Sequence, residues 1–317
     1  MDLAVVIVTW NVRDLALQTL RTLYADLADS GLDAAVYVVD SASSDGTADA
    51  IRDQFPDVCL TASPENLGFA RGNNTALRQI GFENPNADPS TLPRAVYLLN
   101  PDTITKPGAT RTLYDALFSA DDVGIVGANL TYGDGSFQHG AFAFPGLRQL
   151  YAEFFPLPGR FREGRFNGRY PRSLYDGTQP FDVDFTLGAT MMLRREVILQ
   201  TGMFDEDFFM YAEEVDWAWR IHDAGWRALL VPAAHVVHLG GQSTGQASAR
   251  STVNLWESRL RLYGKHYPEW KHTAALWMVR VGMLRKLRRL AFNKSISPQQ
   301  RTELETAYQS IIDMTTS

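Results

Sequence analysis

The distribution of apolar residues predicts alternating strands and helices over the first 130 residues. Short apolar runs rich in β-branched residues are typical of strands that are buried on both faces. Such runs recur at 4–10, 34–40, 95–100 and 123–130. Apolar residues spaced i, i+3, i+4 and i+7 predict amphipathic helices around 20–27 and over 69–80. This β-α-β-α order predicts a twisted, mostly parallel sheet with right-handed crossovers.

After residue 145 the regular alternation of apolar runs and amphipathic patterns is lost and then resumes. Residues 145–182 mix Pro, Gly, Arg and aromatic residues with little periodicity, which predicts a long irregular loop region that shapes a second substrate site. Regular structure resumes with a strand predicted over 184–193 and a helix that begins near Glu213. Roughly the last 65 residues are predicted to be helical.

Composition and charge narrow the function classes. The 317 residues, 45% of them hydrophobic and 21% charged, are typical of a soluble globular protein. The net charge of −6 argues against nucleic-acid binding, because that binding depends on neutralising phosphates. The charge is uneven, since residues 1–249 hold 18 basic and 31 acidic side chains whereas residues 250–294 hold 11 basic and 2 acidic ones. A basic segment therefore follows an acidic body.

The cysteine content and the length of the apolar runs indicate the cellular compartment in which the protein is expected. Cys59 is the one cysteine, which excludes an intramolecular disulfide and a zinc site built from several thiolates, and favours a reducing cytoplasm. The N-terminal apolar run contains Asp2 and leads into polar residues, so we expect a strand rather than a signal peptide. No apolar stretch approaches the roughly 20 residues of a spanning helix, so the chain is not expected to cross a membrane by itself.

Polar and acidic residues follow the predicted strands. The first strand ends in Thr9-Trp10-Asn11, the second in Asp40-Ser41, and another in Asn100-Pro101-Asp102. Because ligands of such sheets bind beyond the carboxyl ends of the strands, these residues are candidates for a site. A carboxylate such as that of Asp102 suits a hard divalent cation that also contacts diphosphate oxygens.

Two further segments carry candidate chemistry, the acidic Y-A-E-E-V-D-W at 211–217 and H-V-V-H-L-G-G at 235–241. Oxygen ligands, an imidazole and a phosphate-bearing substrate favour Mn²⁺ or Mg²⁺ over a structural zinc. His235 and His238 are three residues apart, so on an extended strand they point to opposite faces and at most one is expected to face the site.

Each feature also has a structural interpretation. Asn, Pro and Asp are common turn formers, acidic residues are favoured in the first turn of a helix, and paired histidines on a strand are often structural. The functional interpretation depends on the three features occurring together.

Seven motifs in sequence order carry a family resemblance. They are V-V-I-V-T-W-N from residue 5, V-V-D-S-A-S-S-D-G-T from 38, E-N-L-G-F-A-R-G-N-N from 65, L-L-N-P-D-T from 98, G-A-T-M-M-L-R-R from 188, F-D-E-D-F-F-M-Y-A-E-E-V-D from 204 and H-L-G-G from 238. Together they resemble glycosyltransferase family 2, in particular its rhamnosyltransferase-like and galactofuranosyltransferase-like branch. The resemblance implies a GT-A fold, a nucleotide-binding α/β/α sandwich with a mostly parallel central sheet, over 1–245. A helical C-terminal region over 246–317 would follow it.

The resemblance also implies a donor site and a metal site. The residues expected to contact the nucleotide-sugar donor are Thr9, Asn11, Asp40, Asn66, Arg71, Asn73, Asn100 and Gly188. A divalent cation, Mn²⁺ or Mg²⁺, would be held by Asp102 and His238. The family's metal motif is Asp-X-Asp, and Asn100 replaces its first aspartate here, which removes one negative charge from the site.

The acidic pair Glu213-Glu214 matches the position of the family's catalytic base, with Glu214 at the base position. The implied reaction is an inverting, metal-assisted transfer of rhamnose or a similar sugar. The donor would be a nucleoside diphosphate sugar, a dTDP- or UDP-sugar, and the acceptor a hydroxyl of a glycan or lipid-linked glycan in cell-envelope polysaccharide biosynthesis. Because Asn100 and the Glu-Glu pair depart from the commoner forms, the alternative is a non-catalytic nucleotide-sugar-binding protein on the same fold.

Residues 276–292 are predicted to form an amphipathic helix. On a helical wheel the apolar sector contains Leu276, Val279, Met283, Leu284, Leu287 and Leu290, and most of the basic residues lie outside it. Such a helix suits peripheral binding to an anionic membrane, here the inner face of the cell membrane. The alternative is a helix that packs on the protein body or on another subunit of a homo-oligomer.

Overall fold

The computed structural model describes residues 1–84, 88–240, 248–292 and 296–316. They divide into two compact units. The first contains Met1–Ala143, Tyr170–Phe209 and the described residues from 213 to 240, and the second contains Phe144–Arg169, Met210–Ala212 and the described residues from 248 on. The predicted domain boundary at 245/246 and the last glycine of the H-L-G-G motif lie outside the described residues, so the boundary stays a prediction.

The first unit is built on a sheet that has ten strands within the described residues. They are β1 (Leu3–Thr9), β2 (Ala34–Ser41), β3 (Cys59–Ser63), β4 (Ala95–Leu99), β5 (Thr103–Thr105), β6 (Val123–Thr131), β7 (Phe137–Gln138), β9 (Phe181–Val183), β11 (Thr190–Arg194) and β12 (Arg227–His238). A separate pair is formed by β8 (Ala141–Phe142) and β10 (Phe185–Thr186).

The strand order is β3-β2-β1-β4-β11-β6-β12-β5, with β7 paired to β6 and β9 paired to β12. The first four strands of this order run parallel, as do β6 and β12, while β11 runs antiparallel to both of its neighbours. The predicted α/β class and mostly parallel sheet are therefore confirmed.

Helices cover the sheet on both faces. The helices of the first unit are α1 (Arg13–Ser30), α2 (Thr47–Gln54), α3 (Gly68–Ile80), α4 (Ala109–Leu117), α7 (Arg172–Tyr175), α8 (Arg195–Thr201) and α9 (Glu213–Asp223). Leu3, Val5 and Ile7 point from β1 into a core shared with α1, α2 and α4. Val8 points to the opposite face, where a Cβ on Gly72 of α3 would lie 2.7 Å from Val8 Cγ1. Alternation along β1 thus places helices on both sides of the sheet.

The second unit is helical, and the helices predicted for the end of the chain are confirmed. Its helices are α5 (Leu147–Phe154), α6 (Gly159–Arg162), α10 (Ser248–His266), α11 (Glu269–Phe292) and α12 (Pro298–Met314). A capping box begins α12, where the Ser297 side chain accepts from the Gln300 N–H and the Gln300 side chain accepts from the Ser297 N–H. None of the helices in the described ranges is long and apolar enough to cross a bilayer.

Two predictions of regular structure were wrong in detail. The strand predicted over 184–193 is interrupted, because Thr190 N–H donates to Leu187 O and closes a turn around Gly188. The irregular region at 145–182 contains α5, and Leu150 of this helix is fully buried. An eight-residue helix is shorter than the window of about 11 to 18 residues over which periodicity is diagnostic.

Much of the apolar sector predicted for the basic helix, which is α11, is buried. Val279, Met283 and Leu290 of α11 are buried, and α11 packs on α5 and α12. A Cβ on Gly282 would meet the Phe154 ring at 2.2 Å, so the helix approaches α5 closely on this side. This face of the helix therefore packs within the second unit, and the predicted contacts of the helix with a membrane or another subunit stay predictions.

Candidate active site

The carboxyl ends of β1 and β2 place Thr9 beside Asp40. The two residues are partners in the parallel register, and Thr9 Oγ1 donates to Asp40 Oδ1 at 2.8 Å. Asp40 Oδ2 accepts from the Ser43 N–H at 3.0 Å, and both Thr9 and Asp40 are buried. Each carboxylate oxygen has two acceptor positions, so Asp40 retains capacity for a ligand donor.

Asn11 organises the loop above this pair. Its backbone has φ of 51°, a left-handed conformation that asparagine tolerates better than most residues. Asn11 Oδ1 accepts from the Ser44 N–H at 2.8 Å, and the Asn11 N–H donates to Ser43 Oγ at 2.8 Å. The side chain therefore joins the loops that follow β1 and β2.

Asp102, which follows β4, and His238, which ends β12, lie beside each other. His238 Nε2 lies 3.4 Å from Asp102 Oδ1 and 3.4 Å from Asn100 Nδ2. The other ring nitrogen, Nδ1, lies 3.1 Å from Gln138 Nε2 and 3.3 Å from Gln138 Oε1. The Leu239 N–H donates to Asp102 O at 2.9 Å. His238 is buried, whereas His235 on the same strand is exposed, so one histidine of the pair faces the site.

This donor set fits a divalent cation. Contacts of 3.4 Å are at the outer limit of a hydrogen bond, so Nε2 is not tightly committed to a protein partner. If Gln138 Oε1 accepts from the Nδ1 proton, the lone pair of Nε2 is available to a metal, the usual outer arrangement of a metal-binding histidine. No group of three or more His, Cys, Asp or Glu side chains that could hold a metal occurs within the described ranges. A cation here would therefore take its remaining ligands from a substrate or water.

The backbone of Gly188 and Ala189 lies between Asn100 and the acidic pair Glu213-Glu214. The Asn100 N–H donates to Ala189 O at 3.0 Å. A Cβ on the adjacent Gly188 would lie 3.6 Å from Cβ and Cγ of Glu214. Asn100, Gly188 and Glu214 are thus brought together, although they are distant in sequence.

Glu213 and Glu214 begin α9 and differ in environment. Glu213 is buried, and its Oε2 has no hydrogen-bond partner among the residues that the structure describes. Burial raises the pKa of Glu213 well above its ordinary value, and the neighbouring Glu214 charge raises it further. Burial also raises the pKa of Glu214, which is half-buried. Glu214 is therefore the more accessible carboxylate and has increased basicity.

The start of α9 is held firmly. Arg220 Nε donates to Asp216 Oδ2 at 3.0 Å, as expected for an i, i+4 pair, and Arg220 Nη2 donates to Met203 O at 2.9 Å. Trp217 is buried and its Nε1–H donates to Thr201 Oγ1 at 2.9 Å. These bonds fix the rotation of the helix that presents Glu214.

The backbone immediately before the acidic pair is strained. Tyr211 has φ of 73° and Ala212 has φ of 64°. Non-glycine residues in this region cost about 1–3 kcal/mol each, and such strain is concentrated at functional sites. The conformation supports a functional role for the residues that follow.

We expect Glu213→Gln to stabilise the fold at neutral pH. The folded-state pKa of Glu213 is raised, so ionisation in the unfolded state destabilises the wild type as pH rises above the ordinary glutamate pKa. The neutral amide avoids burying an unpaired charge. A melting-temperature increase of about 2–4 °C, the shift given by about 1 kcal/mol in a domain of this size, should appear near neutral pH and diminish toward acid pH.

Thermal unfolding followed by circular dichroism across this pH range tests the expectation. Glu305→Gln is the matched control, because Glu305 is exposed on α12. Equal melting temperatures for Glu213→Gln and the wild type at every pH would contradict it.

The predicted donor residues at α3 have local partners. Asn66 Oδ1 accepts from the Gly68 N–H and Asn73 Nδ2 donates to Phe69 O, both at 2.9 Å. Arg71 forms an exposed ion pair with Glu65. The described contacts do not connect these three side chains to the carboxyl ends of β1 and β2, so their donor contacts stay predictions.

The sequence did not point to two residues that support the site, Gln138 and Asn74. Gln138 holds His238 but belongs to a two-residue strand, too short to give a pattern. Asn74 donates to Phe204 O and to Glu206 Oε1 at 2.9 Å, which anchors the segment leading to the acidic pair. The two adjacent asparagines, Asn73 and Asn74, were the sequence feature that could have pointed to Asn74.

Comparison with known sequences shows a family match. Residues 2–256 match the family described as glycosyltransferase like family 2. A Mycobacterium tuberculosis (strain CDC 1551 / Oshkosh) protein named N-acetylglucosaminyl-diphospho-decaprenol L-rhamnosyltransferase is 28% identical over 275 residues, which cover 85% of this chain and 87% of that protein. An Escherichia coli (strain K12) protein named rhamnosyltransferase WbbL is 36% identical over 66 residues, 21% of this chain and 24% of that protein.

Comparison with solved structures shows the fold. The mannosyltransferase PcManGT from Pyrobaculum calidifontis in complex with GDP-Man and Mn²⁺ has a TM-score of 0.54 at 19% identity, over 99% of this chain and 86% of that one. GalNAc-T7 with UDP, GalNAc and Mn²⁺ has a TM-score of 0.58 at 13% identity, over 99% of this chain and 56% of that one. These likenesses confirm the expected GT-A fold.

Proposed function

Because the chain belongs to glycosyltransferase like family 2 and is a glycosyltransferase, we propose that it transfers L-rhamnose or a similar hexose with inversion at the anomeric carbon. The proposed donor is a dTDP- or UDP-sugar, and the proposed acceptor is a hydroxyl of a lipid-linked glycan. The similar M. tuberculosis protein is named for L-rhamnose and for a decaprenol-linked diphospho-sugar, which supports this choice of substrate classes.

The connection between Asp102 and Glu214 is the observation that carries the proposal. Asp102 lies beside His238, the Asn100 N–H donates to Ala189 O, and a Cβ on the adjacent Gly188 would lie 3.6 Å from Glu214 Cβ. This proximity supports the proposal that Asp102 and His238 bind the cation of the diphosphate and that the Glu214 carboxylate accepts the proton of the acceptor hydroxyl. An inverting transfer needs these two functions on the two sides of the anomeric carbon.

The donor is proposed to bind along the carboxyl ends of the parallel strands. Asp40, Thr9 and Asn11 would face the base and ribose, whose N–H and O–H groups suit the acceptor oxygens of these side chains. Asp102 and His238 would hold Mn²⁺ or Mg²⁺, which when bound neutralises the charge developing on the departing diphosphate. The GT-A neighbours are described with Mn²⁺, in support of a divalent cation.

Glu214 is proposed to act as the base. Its carboxylate accepts the proton of the acceptor hydroxyl while that oxygen forms the new bond to the anomeric carbon. The bond from this carbon to the donor phosphate breaks, and its electron pair leaves with the nucleoside diphosphate. Burial raises the pKa of Glu214, which strengthens the carboxylate as a base while leaving it ionised above that pKa.

A donor screen followed by a transfer assay tests the proposal. The full chain is melted with Mn²⁺ and each of dTDP-rhamnose, other dTDP- and UDP-sugars, and GDP-mannose. A donor at about 100 times its Kd stabilises the fold by about 2.7 kcal/mol, so the correct nucleotide should raise the melting temperature by several degrees. The stabilising donor is then incubated with an N-acetylglucosaminyl-diphospho-polyprenol, and the product linkage is determined by NMR.

A glycolipid product whose anomeric configuration is opposite to that of the donor is the expected result. A product with the donor's configuration would overturn the inverting mechanism. Stabilisation and transfer with GDP-mannose alone would overturn the proposed donor class.

A further inference from the structure

The side of α11 opposite its packed face carries an exposed apolar stripe. Trp270, Trp277 and Leu284 are spaced seven residues apart and are 69%, 63% and 43% exposed. On a helix this spacing places them on one side. Ala275 and Val279, near the opposite side, are fully buried. Large exposed apolar side chains in a row are unusual on a protein surface and indicate a binding surface.

Arginines lie along the same stripe. Arg280 and Arg288 project from the exposed side of α11, with Arg289 at its edge, and all three are exposed. None of the three has an acidic partner among the residues described here. The whole of α11 contains six Lys or Arg residues and one acidic residue, Glu269. The stripe is therefore both apolar and cationic.

We propose that this stripe of Trp270, Trp277, Arg280, Leu284 and Arg288 is a binding surface for an anionic lipid bilayer. Tryptophan rings are favoured at the boundary between headgroups and acyl chains, and arginines nearby are attracted to anionic headgroups. From Trp270 to Phe292 the helix extends about 33 Å at about 1.5 Å per residue. Phe292 at its end is 83% exposed, so apolar contacts are available along the whole length.

The excess of positive charge on α11 favours an anionic bilayer as the occupant of the stripe. The helix carries six Lys or Arg residues against the single acidic Glu269, and each cation near an anionic membrane surface adds to its attraction. A bilayer surface accommodates both rings and cations, because the rings enter the interface while the guanidinium groups stay with the phosphates. This inference rests on α11 and not on the transfer reaction, so vesicle binding and sugar transfer are separate measurements.

Vesicle flotation of the full chain tests the proposal. Wild type should float with vesicles of phosphatidylglycerol and phosphatidylcholine, and much less with phosphatidylcholine alone. The double variant Trp270→Ser/Trp277→Ser should bind the anionic vesicles at least about tenfold more weakly, since it removes two interfacial rings. The double variant Arg280→Gln/Arg288→Gln should bind about twenty-five-fold more weakly, about fivefold for each cation.

Matched controls separate the stripe from general surface effects. Leu199→Ser removes a 39% exposed apolar residue of α8, and Arg52→Gln removes an exposed arginine of α2. Both should bind vesicles like the wild type, and all variants should keep the wild-type circular dichroism spectrum and melting temperature. These substitutions are at exposed positions, so loss of folding is not expected.

Undiminished vesicle binding by both stripe variants would overturn the proposal. So would absence of wild-type binding to anionic vesicles. If light scattering shows an oligomer that the tryptophan variant dissociates, and vesicles bind neither protein, the occupant of the stripe is a second copy of the chain and the proposal is wrong.

Discussion

Glu214→Gln is expected to lower kcat for sugar transfer by about a thousandfold, within the range of about 10²–10⁴ for loss of a general base. Glutamine has the same size but cannot accept the hydroxyl proton. Donor affinity should remain within about twofold of wild type, because the substitution removes a proton acceptor needed after binding. Steady-state transfer and calorimetric titration of the donor measure the two quantities.

Glu213→Gln provides the matched control for this expectation. The two residues are adjacent at the start of α9, but Glu213 is the buried one. Glu213→Gln is expected to keep kcat within about tenfold of wild type, since the buried Glu213 carboxylate is less accessible to an acceptor hydroxyl than that of Glu214. Equal losses in the two variants would contradict the assignment of Glu214 as base, and wild-type kcat in Glu214→Gln would exclude it.

A shorter carboxylate at position 214 tests whether the position of the proton acceptor matters as well as its presence. Glu214→Asp keeps an acceptor but withdraws it by one methylene, a displacement of the order of 1 Å, which typically costs about a hundredfold in rate. The aspartate variant should therefore be slower than wild type and faster than Glu214→Gln. A Glu214→Asp variant slower than Glu214→Gln would contradict the assignment of this carboxylate as the proton acceptor.

The main elements of the first unit were predictable because their signals are local. The run at β1 is apolar on both faces, and the structure covers both faces with helices. The helix over 69–80 was predicted from its periodicity and is α3, Gly68–Ile80. Placing Thr9, Asp40 and Asp102 near one edge followed from the general rule that parallel strands present their carboxyl ends together.

The contacts that depend on distant pairing were not predictable from the sequence. Gln138 and His238 are 100 residues apart, and nothing in the local sequence around Gln138 pairs it with a histidine. The positive φ values of Tyr211 and Ala212 carry no composition signal, because neither residue is glycine or asparagine. Such conformations are imposed by surrounding structure rather than by local preference.

The orientation of α11 was not predictable from its apolar residues alone. The sequence predicted one apolar sector, either for membrane binding or for packing, and the structure buries Val279, Met283 and Leu290 of this sector while leaving Leu284 exposed. Close packing requires a small residue, and Gly282 lets Phe154 approach the packed side. Trp270 and Trp277, which lie on the other side, remain exposed. A glycine within an apolar sector was therefore the informative signal for the packed side.

Asp102→Asn is expected to weaken Mn²⁺-dependent donor binding by at least about a hundredfold, because the substitution removes the charge of the proposed oxygen ligand, and the proposed site has few other protein ligands. Loss of an outer hydrogen bond alone already costs about 10–100-fold in metal affinity. Donor titrations with Mn²⁺ and with excess chelator measure the effect, and transfer activity should fall in parallel.

The two histidines of β12 supply a matched pair for the same measurement. His238 is buried beside Asp102, whereas His235 is exposed three residues earlier on the same strand. His238→Gln should reduce the Mn²⁺-dependent part of donor binding by about tenfold or more, and His235→Gln should leave it unchanged. Because alternation along a strand turns the two rings to opposite faces, equal effects of the two substitutions would mean that the cation is not held at this edge. Full Mn²⁺ dependence in Asp102→Asn would lead to the same conclusion, and the diphosphate would then have to be neutralised by another group of the site.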